Sequence, residues 1–360
     1  MMLSALPFIR RVAWELFFYL HQVVILLMLV MFVYHSRNLV YYATIPFVLY
    51  GMDKLMRWLS IYTKHCTIAD IRTFEDMVYL DVDVKNMFDN PIDYPNLIGS
   101  VVYLRIPKAK LFEYHPISLA FNKGSHMYFY IKVVGNKRSW SHRLAQLSGQ
   151  KGLRAYIEGP YTMMRHEDEI KVEKGEAVMK HYYGDNTVIV SGGAGFAGVS
   201  SYLADYIEMM SLLPPEKQMT KHLYVIVVVP HHRHLQCMSE LLLKCKKLPF
   251  CHMELYVTYS SNPELKEKNL REVTCPTSDI EVEDKLEYSV GRPDLTAFFS
   301  NLDADYLDVY YCGPKSLEKT LYKSLLKQKH PFYFYHEVFD MCIVCKKQNN
   351  MVKFNYLVVE

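Results

Sequence analysis

The stretch TVIVSGGAGF, residues 187–196, joins a short apolar strand directly to a glycine-rich turn. A helix is predicted to follow, from about residue 199 to residue 210. Glycines at such a junction let backbone N–H groups approach a pyrophosphate at the N-terminus of the helix. The same four residues are also compatible with a tight turn that binds nothing. The stretch therefore predicts the first unit of an α/β domain and leaves its ligand open.

Further apolar strands follow this unit at residues 223–229, 255–259 and 306–311, and they alternate with helical segments. Such alternation is typical of a doubly wound sheet of parallel strands. We therefore expect an α/β domain over residues 166–341. Ligands of such domains bind at the carboxyl ends of the strands.

The preceding segment, residues 66–165, has a different rhythm. Short strands are predicted at residues 78–84, 101–107, 127–134 and 153–157, separated by turns that contain Gly, Asn and Pro. Several short strands at this spacing favour a small antiparallel β-barrel.

Residues 1–65 are predicted to form a membrane α-helical hairpin. The apolar runs at residues 12–34 and 39–62 are each long enough to cross a bilayer as a helix of about 20 residues. A re-entrant or interfacial helix is an alternative for the second run, which contains Pro46. Basic residues flank the hairpin, with Arg10 and Arg11 before it and Arg57 near its end. By the positive-inside rule we expect an integral membrane protein, in contact with membrane lipid, whose N-terminus and C-terminal domains are cytosolic.

Two histidines, His21 and His35, lie in or at the end of the first apolar run. A spacing of 14 residues places them about 21 Å apart along a helix and within roughly 40° of one face. Polar groups inside a span are usually functional, so both histidines are candidate ligands of haem iron. His35 is also compatible with a position at the level of the lipid headgroups.

The composition of the 360 residues is that of a globular body with an anchor: 51% are hydrophobic, 22% are charged, and the net charge is +3. This small charge argues against a nucleic-acid partner. We expect the eight cysteines to stay reduced in the cytosol. Cys342 and Cys345 have zinc-ligand spacing without a second pair, and residues 231–234 (HHRH) are interpreted as a solvated loop. Residues 342–360 form a C-terminal extension.

Seven motifs occur in an order that resembles the ferric reductase and NADPH oxidase superfamily. The segment from Glu15 to His21 resembles the start of a haem-binding transmembrane helix of that family. The other six are His115-Pro116-Ile117-Ser118, Gly159-Pro160-Tyr161, Gly192-Gly193-Ala194-Gly195, Gly291-Arg292-Pro293, Cys312-Gly313-Pro314 and Glu337-Val338-Phe339.

The resemblance implies a site for FAD in residues 66–165. It implies that the Ser118 hydroxyl bonds the flavin ring, within the motif formed with Pro116 and Ile117, and that His115 lies near the isoalloxazine. Ile131, Lys132 and Gly135 belong to a segment that resembles the strand that helps to hold the FAD pyrophosphate.

The resemblance also implies a site for NAD(P)H in residues 166–341, with catalytic roles for Ser118, Cys312 and the aromatic Phe339, which covers the flavin. Arg292 is expected near the nucleotide phosphates and would favour NADPH. The remaining residues implied to bind the nucleotide are Gly159, Pro160, Gly192, Gly193, Gly195, Phe196, Cys312, Gly313 and Pro314.

The function implied is a membrane-bound flavoprotein oxidoreductase. It would pass electrons from NADPH through FAD, with or without haem b, to ferric iron or dioxygen. The hairpin resembles only the last two of the family's six helices, so haem ligands would have to come from a second subunit, an oligomer or a longer parent chain. Two alternatives are a membrane-tethered diaphorase that feeds a separate acceptor, similar to cytochrome b5 reductase, and a degenerate subunit without activity.

Overall fold

The computed structural model describes residues 14–63, 65–85, 97–111, 113–161, 169–173, 176–180, 183–258, 271–275, 284–302, 304–328 and 331–337. The chain divides into two compact units, residues 1–63 and residues 64–360.

The first unit contains two long helices, α1 (Trp14–His35) and α2 (Arg37–Thr63), and Pro46 lies inside α2. Both helices lie where the apolar runs predicted them, and their bounds differ from the predicted ones by one or two residues. Within residues 14–63 and the other described segments, no helix combines the length and the apolarity that a bilayer crossing requires. The membrane-spanning part of the prediction is therefore not confirmed by the structure.

The second unit begins with a seven-stranded antiparallel sheet, in the order β4-β3-β7-β1-β2-β6-β5. Its strands are β1 (Cys66–Phe74), β2 (Met77–Asp83), β3 (Val101–Arg105), β4 (His115–Ser118), β5 (Phe121–Lys123), β6 (His126–Lys132) and β7 (Leu153–Tyr161). The short helix α3 (Trp140–Ala145) lies between β6 and β7. Four of these strands were predicted, and β1, β4 and β5 were not predicted as strands.

Two consecutive residues show how this sheet curls into a barrel. The Leu119 N–H donates to the carbonyl of Ser100, beside β3, whereas the next N–H, that of Ala120, donates to the carbonyl of Tyr128 on β6. Because β4 and β5 are the two outermost strands of the sheet, these bonds bring its edges together. Alternate side chains fill the interior, among them Leu80, Leu104 and Phe129, none of which is exposed.

A second seven-stranded sheet follows, in the order β13-β14-β12-β11-β10-β15-β16. Its strands are β10 (Asn186–Gly192), β11 (His222–Val229), β12 (Cys251–Val257), β13 (Arg271–Thr274), β14 (Lys285–Val290), β15 (Leu307–Cys312) and β16 (Phe332–Glu337). All neighbouring strands are parallel except β13 and β14. Two strands that precede this sheet in the chain, β8 (Glu169–Glu173) and β9 (Glu176–Lys180), form a separate antiparallel hairpin.

Helices connect the strands of the second sheet. They are α4 (Phe196–Leu212), α5 (Pro215–Gln218), α6 (His232–Cys237), α7 (Ser239–Lys246), α8 (Leu295–Ser300) and α9 (Lys315–Lys327). The predicted doubly wound arrangement is therefore found, and α4 begins three residues before its predicted start because a 3₁₀ turn at Gly193–Gly195 leads directly into it.

The interpretation of residues 231–234 as a solvated loop is wrong for His234. This residue lies in α6, is 2% exposed, and its Nε2 is 2.5 Å from Oδ1 of Asp76 in the turn between β1 and β2. Burial lowers the pKa of His234, and the nearby Asp76 carboxylate only partly opposes that shift. No local pattern indicates this burial, because Asp76 is about 160 positions away in the chain.

Candidate functional site

The parallel strands of the second sheet have their carboxyl ends along one edge. The carboxyl ends of β10 and β15 are adjacent there, at the point where the strand order reverses. From β10 the chain proceeds through β11 and β12 on one side, and it later returns to place β15 on the other side. Ligands of open α/β sheets bind in the crevice at such a switch point. The loops that leave β10 and β15 there are the two predicted motifs that begin at Gly192 and Cys312.

These two loops are in direct backbone contact. A Cβ added to Gly195 would lie 2.2 Å from the carbonyl oxygen of Cys312 and 2.8 Å from the Cα of Gly313. A Cβ added to Gly192 would lie 2.4 Å from Cδ of Pro314. Only glycine permits this approach, so the structure brings together five of the predicted nucleotide-binding residues.

The same loop leaves room for a ligand at its tip. Gly193 has a φ of +55°, and a Cβ added there would meet nothing within 4 Å. The hydroxyl of Ser191, at the end of β10, is buried and has no hydrogen-bond partner among the described residues. The 17-residue helix α4 starts directly behind the loop, so its free N–H groups and positive dipole end lie where an anion would bind.

Cys312 and Glu337 meet beside the first turn of α4. They are opposite each other in the parallel register of β15 and β16. A Cβ added to Gly198 would lie 3.0 Å from the Cys312 sulfur and 3.0 Å from a carboxylate oxygen of Glu337. Burial, reinforced by the Glu337 carboxylate, raises the pKa of Cys312 well above its usual range. The thiol therefore keeps its proton at neutral pH, so it can donate a hydrogen bond but is not a thiolate nucleophile.

Arg292 occupies a different position on the same edge. It follows Gly291, which has a φ of +119° with open space around it and whose N–H donates to the carbonyl of Val257 at 2.9 Å. Arg292 is exposed. Three strand spacings separate β14 from β10, or about 14 Å. Arg292 therefore follows a strand that is separated from the Gly192 loop by most of one side of the sheet edge.

The predicted flavin motif forms β4. Ser118 is opposite Val101 of β3, and Val101 is in turn opposite Tyr161 at the end of β7. Gly159 and Pro160, predicted at the junction of the two domains, lie in that same part of β7. The structure therefore brings the flavin motif and the junction motif onto the two strands that flank β3.

His115 stacks on a residue that the sequence did not indicate. Its ring centroid is 4.4 Å from that of Trp140, the first residue of α3, and its Nε2 is 3.2 Å from a carboxylate oxygen of Glu113. The Trp140 side chain is 4% exposed, and its indole N–H has no hydrogen-bond partner among the residues that the structure describes. A buried donor without an acceptor fits a site that a polar aromatic ligand completes.

The segment predicted to help hold a pyrophosphate continues from β6. Ile131 is buried in the barrel, and the Lys132 ammonium is 3.8 Å from the Asp76 carboxylate. Gly135 has a φ of +85° in the loop before α3. The hydroxyls of Ser139 and Ser141 both donate to the carbonyl of Val134 and so hold that loop.

Phe196 joins the barrel to the α/β domain. Its side chain is fully buried, and its ring centroid is 5.6 Å from that of Tyr130 on β6. The prediction that Phe196 helps to bind the nucleotide therefore rests on its backbone, because its side chain packs against the barrel.

The remaining predicted residues have the following positions. His21 is partly buried within α1, and His35 is exposed in its last turn. Phe339, Cys342, Cys345 and the extension at residues 342–360 lie outside the described residues. The described part of the chain contains no group of three or more side chains that could hold a metal ion.

Comparison with known proteins agrees with the motifs. Residues 184–326 match the family model of the ferric reductase NAD binding domain. The chain is 22% identical over 300 residues to ferric reduction oxidase 3, mitochondrial, of Arabidopsis thaliana, which covers 76% of this chain and 38% of that protein. It is 22% identical over 369 residues to dual oxidase 2 of Sus scrofa, and that match covers 93% of this chain and 22% of that protein. These matches confirm the predicted resemblance to ferric reductases and NADPH oxidases.

The chain thus spans well under half the length of these curated relatives. Among solved structures, the flavohemoglobin of Malassezia yamatoensis, crystallised with bound FAD and heme, has a TM-score of 0.50 and 15% sequence identity, and the match covers 77% of this chain and 60% of that one. This likeness confirms the fold of the barrel and the α/β domain.

Proposed function

We propose that this chain is a membrane-bound flavoprotein oxidoreductase that takes electrons from NADPH through FAD and delivers them to ferric iron or dioxygen. The observation that carries the proposal is the backbone contact between the Gly192–Gly195 loop and the Cys312–Pro314 loop at the switch point. It lies within the region that matches the ferric reductase NAD binding domain.

The barrel supplies groups that fit FAD. Ser118 and His115 lie on β4, and the buried indole N–H of Trp140 beside His115 lacks an acceptor. The Gly135 loop, held by two serine hydroxyls, would bind the pyrophosphate. A bound flavin accepts a hydride and gives up electrons one at a time, which matches a two-electron donor to a one-electron acceptor.

The α/β domain supplies groups that fit NADPH. The N–H groups at the start of α4 would bind the pyrophosphate, and Arg292, about 14 Å away along the sheet edge, would bind the 2′-phosphate by charge-assisted hydrogen bonds. The protonated Cys312 thiol and the Glu337 carboxylate would orient the nicotinamide at the switch point.

The membrane location rests on the two apolar helices and on the resemblance of α1 to a haem-binding helix. His21 and His35 are the two histidines of residues 14–63. Both lie on α1, so a bis-histidine haem b would need its other ligands from a second subunit or a second copy of the chain. A haem completed in this way would carry electrons across the bilayer.

The test is the absorption spectrum of the detergent-purified chain before and after anaerobic addition of NADPH. We expect an oxidised-flavin band that NADPH bleaches. A reduced b-type haem band in the same sample would support the transmembrane route. Purified, folded protein without bound FAD would contradict the proposal and favour a non-catalytic subunit.

A membrane-tethered diaphorase is the second candidate, favoured by the absence of further histidines in residues 14–63. Replacing both His21 and His35 with Ala distinguishes the two. A diaphorase keeps its NADPH-dependent reduction of a soluble acceptor and never shows a haem band. A transmembrane relay keeps flavin bleaching but loses electron transfer to an acceptor on the far side of the membrane.

A further inference from the structure

A small cavity lies between α8 and the sheet of the α/β domain, at the amino ends of β11 and β12. Its volume is about 380 Å³, which is enough for a small molecule. Tyr224 and Glu254 line it from the two strands. Phe298 of α8 and the buried Leu302, which follows that helix, line it from the other side. Tyr224 lies five positions before Val229, the last residue of β11, so the cavity is about 16 Å from the edge of the sheet that carries the nucleotide site.

The walls of this cavity are aromatic. The rings of Tyr224 and Phe298 are close to perpendicular, at 82°, and their centroids are 5.8 Å apart, so they form two adjoining sides of a corner. The His252 ring, opposite Tyr224 in the parallel register, stacks on the Tyr224 ring at 5.2 Å. The His222 ring lies 6.5 Å from the Tyr224 ring at an angle of 26°. The faces of Tyr and Phe rings carry negative charge density, and two rings that meet at a right angle can both contact one bound cation.

A carboxylate belongs to the same lining. Glu254 lies two residues after His252 on β12, so both side chains are on the face of the sheet that the cavity occupies. One carboxylate oxygen of Glu254 accepts a hydrogen bond from the Tyr256 hydroxyl at 2.8 Å. Among the described residues, no lysine or arginine forms an ion pair with Glu254, and none lines the cavity. The cavity therefore carries a negative charge that no side chain in the described part of the chain neutralises.

We propose that this cavity binds a small quaternary ammonium compound, such as choline, from solution. A quaternary ammonium has no N–H group, so ring faces and a nearby carboxylate hold it where a fixed set of hydrogen bonds would not. A neutral ligand of the same size would leave the Glu254 charge uncompensated, and an anion would be repelled by that charge. This site goes beyond the proposed function and requires neither FAD nor NADPH.

The experiment titrates choline into the detergent-purified full chain and follows the methyl signal of choline by ligand-observed NMR. The comparison ligand is 3,3-dimethylbutan-1-ol, which has the shape of choline with a carbon atom in place of the charged nitrogen. We expect the alcohol to bind at least about threefold more weakly than choline, because only choline gains the cation–π and carboxylate interactions. Saturating NADP⁺ should leave choline binding unchanged, because the nucleotide site lies at the other edge of the sheet.

Three variants locate the binding. Tyr224→Leu should weaken choline binding by about 2- to 30-fold, whereas Tyr224→Phe, which keeps the ring, should bind choline as the wild-type chain does. Glu254→Gln should weaken choline binding by about 1.5- to 5-fold. Tyr333→Leu is the matched control, since it removes an exposed tyrosine from another strand of the same sheet.

The proposal is overturned if the wild-type chain binds choline no better than the neutral alcohol, or if NADP⁺ displaces choline. It is equally overturned if Tyr224→Leu binds choline as tightly as Tyr333→Leu does. The first two outcomes are read on the wild-type chain, so they decide the question even where a variant fails to fold.

Discussion

The backbone N–H of Gly99 donates a hydrogen bond to Oγ of Ser201 at 3.0 Å. Gly99 lies just before β3, the strand that pairs with the flavin motif, whereas Ser201 lies in the second turn of α4, the helix that begins at the nucleotide loop. This bond joins the two halves of the proposed site, together with the ring contact of Phe196 with Tyr130. A flavin held by one half and a nicotinamide held by the other would be placed relative to each other in part by this bond.

Replacing Ser201 with Ala should therefore slow flavin reduction more than it weakens NADPH binding. The Gly99 N–H would lose its partner, at a cost of about 1 kcal/mol in the free energy of unfolding. Stopped-flow reduction by NADPH measures the rate, and chemical denaturation measures the stability. Ser211→Ala, which removes an exposed hydroxyl from the same helix, is the control and should change neither. An unchanged reduction rate in Ser201→Ala would contradict the coupling.

Replacing Gly195 with Ala should disrupt the nucleotide site. The added methyl group would lie 2.2 Å from the carbonyl oxygen of Cys312, and neither backbone can move without separating the two loops. We expect a loss of about 1–3 kcal/mol in stability and a large rise in KM for NADPH. Gly193→Ala is the comparison for stability alone, because its methyl group meets no atom of the chain within 4 Å and its cost is limited to about 1 kcal/mol from the positive φ. Equal losses of stability in the two variants would argue against a role for the loop contact.

Replacing Ser118 with Ala should weaken FAD retention or slow its reduction, because the barrel would lose a hydroxyl of the flavin motif. The loss of one hydrogen bond to the ligand corresponds to about 0.5–1.5 kcal/mol, or a 2- to 13-fold weaker affinity. Flavin content per chain after gel filtration and the rate of bleaching by NADPH measure the two effects. Ser300→Ala, an exposed position in α8, serves as the control. Wild-type flavin content together with a wild-type rate would remove Ser118 from the site.

The chain should lose stability in alkali, in part because of Cys66. Burial raises the pKa of this thiol to about 12, whereas in the unfolded chain the thiol ionises near pH 9. Between those values the native state holds a proton that the unfolded state has released, so the free energy of unfolding falls as pH rises, by up to about 1.4 kcal/mol per pH unit. Cys66→Ala should flatten this slope by about one proton, measured by denaturant titration from pH 8 to pH 11. An identical slope in the variant would contradict the assignment.

The free energy of unfolding should also fall in acid, because of His234. Because burial lowers its pKa below the ordinary value of 6.5, the unfolded chain binds a proton before the native chain does as the pH falls. The free energy of unfolding should therefore decrease below about pH 6.5, with a limiting slope of about 1.4 kcal/mol per pH unit. Denaturant titrations at pH 7.5 and 5.5 measure the change, and His234→Gln should show a smaller one. A variant that is equally sensitive to acid would place the titrating group elsewhere.

The sequence was informative where local pattern determines the structure. The apolar strand and glycine turn at residues 187–196 predicted β10, its loop and α4 to within a few residues, since strand periodicity and backbone freedom at glycine act over short distances. The same holds for the parallel sheet, because the alternation of apolar strands with helical segments is typical of a doubly wound arrangement.

What the sequence did not reveal depends on contacts between distant segments. Trp140 stacks on His115, 25 positions earlier, and neither residue lies in a pattern that indicates the other. Glu337 was noted only as part of a motif, and its meeting with the Cys312 thiol depends on the register of β15 and β16. The position of His234 depends on a turn in another domain. Side-chain environment of this kind follows from tertiary packing, on which composition and periodicity carry no information.

The contact between the Gly192–Gly195 loop and the Cys312–Pro314 loop also limits the substitutions that each loop can accept. Because the backbone at Gly195 touches the backbone at Cys312 and Gly313, a side chain gained in one loop demands a displacement of the other, and no single substitution elsewhere can supply it. The two motifs, more than 110 residues apart in the chain, therefore share one steric limit. A side chain added at Gly195 strains the backbone of both loops, and so the crevice that they border.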